Sequence, residues 1–238
     1  MSDTSWRVLP HDPLEQLGDR LYRVEGDLPN LKIRRQMIVL VEDDGLLLHN
    51  PMCLDEATMA RLLELGQPTW VIVPSGFHRM DIARYRERFP GITVLAPRAG
   101  RARIEKVARV DLVYEEFDGT SHARIEYVAG VGDREGVLVV DTEEGVTLVF
   151  NDVLMNIPHF GGVMGRIYRW IGDSGRPTVT RLARLAIVRD RRALARHLRT
   201  LADTPRLVRV VPGHGTPISD DPAGALRQVA DRLDPPRT

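Results

Sequence analysis

The chain contains a single cysteine, Cys53, carries no net formal charge, and lacks any apolar run of about 18 residues that could span a bilayer. One cysteine excludes an internal disulfide and any Cys-rich zinc ribbon, so a bound metal would have to be held by His and Asp or Glu. Lys+Arg and Asp+Glu each total 33. That balance gives no electrostatic reason for nucleic acid to be a partner. The excess of arginine over lysine fits the coding habit of a GC-rich genome. Met1-Ser-Asp-Thr-Ser-Trp6 has no basic segment leading into an apolar run, so no signal peptide is expected and the expected location is the cytoplasm. Repeats, low-complexity tracts and linkers are also missing. The 238 residues, 43% of them hydrophobic, therefore read as one soluble globular domain.

What is present is a succession of short apolar runs punctuated by turn residues. Leu21 to Glu25 alternates as a half-buried strand. Met37 to Glu42 and Leu46 to His49 form a hairpin about Asp43-Asp44-Gly45. Asp55 is placed to cap a helix from about Glu56 to Leu65, which Gly66 ends. Trp70 to Val73, a helix from Asp81 to Arg88 and the strand Ile92 to Ala96 make a βαβ unit. Leu112 to Phe117 and Arg124 to Ala129 read as strands, followed by a second hairpin, Gly136 to Asp141 and Val146 to Phe150. Residues 151–180 are Gly-rich and irregular, with a short helix from Val163 to Ile171; such a segment commonly serves as a lid or interaction surface. A basic amphipathic helix is expected from about Arg181 to Ala202, its arginines on a solvated face. Two hairpin-rich stretches accompanied by helices predict an α/β (α+β) fold, a four-layer αββα sandwich of two mixed sheets with helices outside.

Chemistry gathers where apolar runs stop. Val208 to Val211 runs into Pro212-Gly213-His214-Gly215, where two glycines let the backbone turn tightly and present an imidazole. Ser75-Gly-Phe-His-Arg-Met-Asp81 and Phe150-Asn-Asp152 follow two other strands, and Gly130-Val-Gly-Asp-Arg-Glu-Gly136 precedes a third. This order resembles the metallo-β-lactamase fold from about Leu21 to Ile218, and most closely an uncharacterised branch with eroded metal motifs. Active members carry Thr-His-x-His-x-Asp-His after the first βα segment. In the Ser75–Asp81 slot the resemblance keeps only His78: Gly76 stands for the first histidine, Met80 for the aspartate and Asp81 for the last histidine. Gly132-Asp133-Arg134-Glu135-Gly136 matches the spacing of Gly-His-x-x-Gly, with Asp133 in the histidine position. Asn151-Asp152 fits the bridging aspartate, and His214 fits the final histidine.

The resemblance implies metal ligands His78, Asp133, Asp152 and His214, with Asp81 deputising as general base. Three protein ligands suffice for a catalytic zinc with one position left for water. Such a set implies one divalent ion, Zn or the harder Mn or Mg, or none. The implied activity is hydrolysis of a small ester, thioester, lactone or phosphoester by a metal-activated water. The alternative is a metal-free, non-catalytic member of the fold serving as a ligand-binding or oligomerisation module. Expected partners are a small-molecule substrate or ligand, with no nucleic acid and no membrane; homo-oligomerisation stays open. The same residues admit structural roles. Asp81 can cap its helix, His78 can cap it as well, and Asp133 and Asp152 can satisfy turn amides. His159 could line the cleft from the insert or lie on its surface. His49 and Cys53 read as structural, and His11, His122 and His197 lack context.

Overall fold

The structure is a computed structural model that describes residues 5–29 and 31–235; residues 1–4, on which the reading of the leader partly rests, lie outside them. The chain divides into two compact units, Met1–Arg124 and Ile125–Thr238. Each unit has its own apolar cluster.

The first unit contains strands β1 (Glu15–Gln16), β2 (Leu21–Leu28), β3 (Leu31–Glu42), β4 (Gly45–His49), β5 (Pro68–Ile72), β6 (Thr93–Ala96) and β7 (Leu112–Val113). They form one mixed sheet in that order, antiparallel from β1 to β4 and parallel from β4 to β7. Helices α1 (Glu56–Leu65), α2 (Ile82–Arg88) and α3 (Arg101–Ile104) make the connections. The α1 boundaries are those expected from the sequence, and Asp55 caps it by accepting from the Thr58 amide at 2.7 Å. Met59 and Leu62 of α1, with Ile82 and Tyr85 of α2, pack on Val39, Leu48 and Val71. Ile38, Leu40, Leu47 and Ile72, on the other face of the same strands, are also buried. Burial on both faces explains why these strands read as continuous apolar runs.

The second unit has a four-stranded mixed sheet, ordered β12-β10-β9-β8, from β8 (Ala123–Tyr127), β9 (Gly136–Thr142), β10 (Gly145–Val149) and β12 (Leu207–Val211). A two-stranded piece pairs β11 (Met155–Asn156) with β13 (His214–Gly215). Helices α4 (Gly162–Ile171), α5 (Arg181–Ala186), α6 (Arg191–Ala202) and α7 (Pro222–Leu233) complete it. Helices α6 and α7 pack together, burying Leu194, Leu198, Leu226 and Val229.

Three elements differ from expectation. The basic helix from Arg181 to Ala202 is two helices, because Asp190 leaves the helical conformation and accepts from the amides of Arg192 and Ala193 at 2.9 and 3.0 Å. Leu182, Ala186, Leu194 and Leu198 keep helical spacing on either side of Asp190, so spacing alone reads as one helix. The strand expected from Leu112 to Phe117 ends at Val113, since Glu116 reaches back to the Val113 amide at 2.9 Å and winds residues 114–116 into a 3-10 turn. Helix α7 was not anticipated, although Asp221 caps it and Pro222 occupies its first turn, both strong start signals. No helix among the described residues is long and apolar enough to cross a membrane.

Replacing Asp190 with Ala removes the cap that starts α6. It is expected to lower unfolding free energy by about 1 kcal/mol, read by urea denaturation. An unchanged midpoint would show that α5 and α6 are separated by something other than this cap.

Candidate functional site

In the second unit, β10 and β12 are parallel neighbours, with Val149 opposite Val211, so the turns leaving their C-terminal ends emerge side by side. Gly213 lies so close to the first of these turns that a Cβ on it would fall 2.3 Å from the Asn151 carbonyl oxygen. Gly215, at φ +92°, lies against the Asn156 carbonyl in the same way. Both glycines of Gly213-His214-Gly215 are therefore demanded by close backbone approach. The approach brings His214 Nε2 to 3.4 Å from Asp152 Oδ1, with the imidazole buried and the carboxylate half-buried.

Glu135 builds this corner from below. Its buried carboxylate accepts from the amide of Asn151 at 2.9 Å and from that of Val153 at 3.1 Å. Burial, followed by the charge of Asp152, pushes the Glu135 carboxyl well above the usual carboxylate range, against the opposing effect of these amides. Asn151 is fully buried, and among the described residues neither its side-chain nitrogen nor its oxygen has a hydrogen-bond partner. An orphaned carboxamide in a buried corner is a polar group fitted to a water or ligand.

In the first unit, the loop after β5 carries His78. Asn50, in the left-handed conformation at φ 57°, donates from Nδ2 to the Gln36 carbonyl at 2.8 Å. That contact fixes the amide, so Oδ1 faces His78 Nδ1 at 3.1 Å. An amide oxygen only accepts, so Nδ1 carries a hydrogen, and in the neutral ring the lone pair is then on Nε2. This is the tautomer expected of an imidazole that ligates through Nε2. Neighbouring His49 is buried, with neither ring nitrogen hydrogen-bonded among the described residues. Burial, with the nearby His78, pushes its pKa down to about 3, so it is neutral.

Asp81, expected as base or cap, takes the N-cap position of α2 but makes no side-chain cap. Its buried carboxylate instead accepts from Arg35 on one oxygen and from Arg84 on the other, the latter at 3.0 Å. Cys53 lies 3.5 Å from the same carboxylate. Burial, then the Asp81 charge, pushes the thiol up to about 12.

Of the expected ligands in the second unit, Asp152 and His214 come together. Asp133 is exposed in a left-handed turn at φ 53°. Within Gly132–Gly136 it is Glu135 that turns inward to the Asp152 turn. The apolar start of β9 just after it was the available signal. His159 packs on Gly175 and contacts Ser174 Oγ at 3.0 Å, inside the insert. His11 accepts from the Asp55 amide and His197 from the Ala129 amide, both structural roles.

Two measurements follow from this geometry. Gly213→Ala must push the Asn151 turn away, and a loss of about 1–3 kcal/mol is expected in urea denaturation. A silent substitution would refute the close approach. Cys53 reacts as thiolate, and its rise from 9.0 to about 12 predicts disulfide-reagent labelling at pH 8 about a thousandfold slower than in the denatured chain. Comparable rates would show that the thiol is not held as described.

No family model and no curated protein matches this chain. Solved structures do. The metallo-β-lactamase FIM-1 from Pseudomonas aeruginosa, in its mono-zinc form, aligns over 98% of this chain and 100% of its own, with a TM-score of 0.63 at 13% identity. The metallo-β-lactamase from Pontibacter korlensis aligns over 92% and 98%, with a TM-score of 0.63 at 9% identity. DIM-1 metallo-β-lactamase aligns over 95% and 100%, with a TM-score of 0.61 at 10% identity. Seven helices and two large mixed sheets among the described residues are consistent with the αββα class expected from the sequence. The chain has the metallo-β-lactamase fold.

Proposed function

We propose that this chain is a metal-dependent hydrolase acting on a small ester, thioester, lactone or phosphoester. One divalent ion, zinc or the harder manganese or magnesium, would be held by Asp152 and His214 of the second unit. The observation that carries this reading is the His214–Asp152 pair at 3.4 Å, where Gly213 lets the backbone of one turn approach the other. The donors fit: an imidazole and a carboxylate are among the ligand types of a catalytic zinc. A similar fold crystallised in a mono-zinc form supports a single ion. Asp133, exposed on its turn, is left out of the proposed set.

The chemistry supplied by such an ion is Lewis-acid activation of water and polarisation of a carbonyl or phosphoryl oxygen. The chain's own residues orient and hold. Glu135 fixes the turn that carries Asp152 through the Asn151 and Val153 amides. Asn50 fixes the His78 ring, and the orphaned Asn151 amide offers both a donor and an acceptor to what enters the corner. Asp81 is a positioning residue here, tying the 75–81 loop to β3 through Arg35. That engagement, which withholds the expected base, favours the second reading: a metal-free binding module of the same fold.

Metal analysis separates the two. Protein from cells grown with Zn²⁺ and Mn²⁺ is expected to hold about one ion per chain. His214→Ala and Asp152→Ala should each reduce affinity by about tenfold or more, with circular dichroism unchanged. Chelation should abolish any ester hydrolysis. Wild-type protein without stoichiometric metal would overturn the hydrolase reading in favour of the binding module.

A further inference from the structure

Elsewhere in the second unit, four arginines converge without the carboxylates that would balance them. Arg176, Arg181, Arg184 and Arg232 line a cleft of about 290 Å³ together with Thr178 and Asp173. The four positive charges face a single negative one. The Asp173 carboxylate accepts from the Arg181 backbone amide at 3.0 and 3.2 Å. Among the described residues, none of the four guanidiniums is ion-paired with a carboxylate. Elsewhere in this chain arginines are commonly paired, as Arg199 is with Asp231 and Arg227 with Asp203.

The two inner arginines are anchored by backbone, which fixes their position but leaves their charge uncompensated. Arg184 donates through Nε to the Val179 carbonyl at 2.9 Å, and Arg232 donates to the Pro177 carbonyl. Arg232 Nε is itself buried and has no acceptor among the described residues. Each guanidinium has five N–H groups, so most remain for another acceptor. Burial, then neighbouring arginines including Arg176, hold Arg232 below the usual arginine range. Burial also lowers Arg184, with Arg181 and Arg176 adding to it and Asp173 opposing it. Gathering like charges costs stability unless an anion completes the site.

We propose that this cleft binds a phosphate group. Several forked donors suit an oxyanion with more than one charge and three or more acceptor oxygens better than a single carboxylate. The space exceeds that of a bare phosphate, which points to a phosphorylated small molecule or a lipid headgroup. The second source must be tested, because Trp170, Leu182 and Leu185 are exposed on the neighbouring helices. This inference is independent of the metal reading.

Calorimetric titration of the full chain with inorganic phosphate, in EDTA and at constant ionic strength, tests it; the chelator keeps any metal at Asp152 and His214 out of the readout. One-site saturable binding is expected, at least tenfold tighter than acetate. Arg184→Gln and Arg232→Gln should each weaken it about tenfold, as should the double variant R176Q/R181Q, whose exposed side chains can be changed without disturbing the fold. Absence of saturable binding, equal binding of acetate, or an unaffected double variant would overturn the proposal. Sedimentation with phosphatidylcholine vesicles, with and without phosphatidylglycerol, distinguishes the sources. Binding to anionic vesicles alone, lost in the double variant, assigns the phosphate to a lipid. Phosphate binding with no vesicle association assigns it to a small molecule.

Discussion

The contact between Gly213 and the Asn151 backbone is the constraint on which the candidate chemistry depends. Two parallel strands deliver their ends to the same edge, but parallel pairing alone leaves the following side chains undirected. Backbone approach, at a distance that no Cβ could share, turns adjacency into a defined His214–Asp152 pair. Glu135 then holds the other side of the turn, its buried carboxylate bonded to two amides. A buried acid in such a cradle is costly to place, and its cost is offset only while the turn keeps its shape.

The first unit uses a comparable device with different residues. Asn50 occupies a left-handed position that a β-branched residue would resist, and it spends one end of its amide on Gln36 and the other on His78. Close by, Asp81 is held by Arg35 and Arg84, with the Cys53 thiol beside it. A carboxylate serving two guanidiniums fixes a loop well. The Ser75–Asp81 segment therefore combines one ring kept in a ligating tautomer with one acid committed to structure.

How far the sequence discloses this depends on the range of each interaction. The Gly-His-Gly corner is legible because its cause is local: two glycines beside a histidine at the end of an apolar run. Helix α1, its Asp55 cap and the two hairpins are legible for the same reason. Asp190 is a helix-start signal set in an i, i+4 row of otherwise apolar residues, Leu182, Ala186, Leu194 and Leu198, and that row reads as one continuous helix. Glu135 was passed over for Asp133, two residues earlier, since only tertiary packing decides which acid of a Gly-rich turn faces inward. The Asp81 ion pair lies beyond local reading altogether: Arg35 is on β3, 46 residues away, and nothing in either segment names the other. The arginine cleft is of that kind too, drawing Arg232 from α7 to residues 176–184.

Anomalous diffraction at the zinc edge, from crystals grown with Zn²⁺, tests the central claim most directly. The account predicts one peak at about 2.0–2.2 Å from His214 Nε2 and an Asp152 oxygen. A peak elsewhere, or no peak at these two residues while the His214–Asp152 pair stands as described, would contradict it.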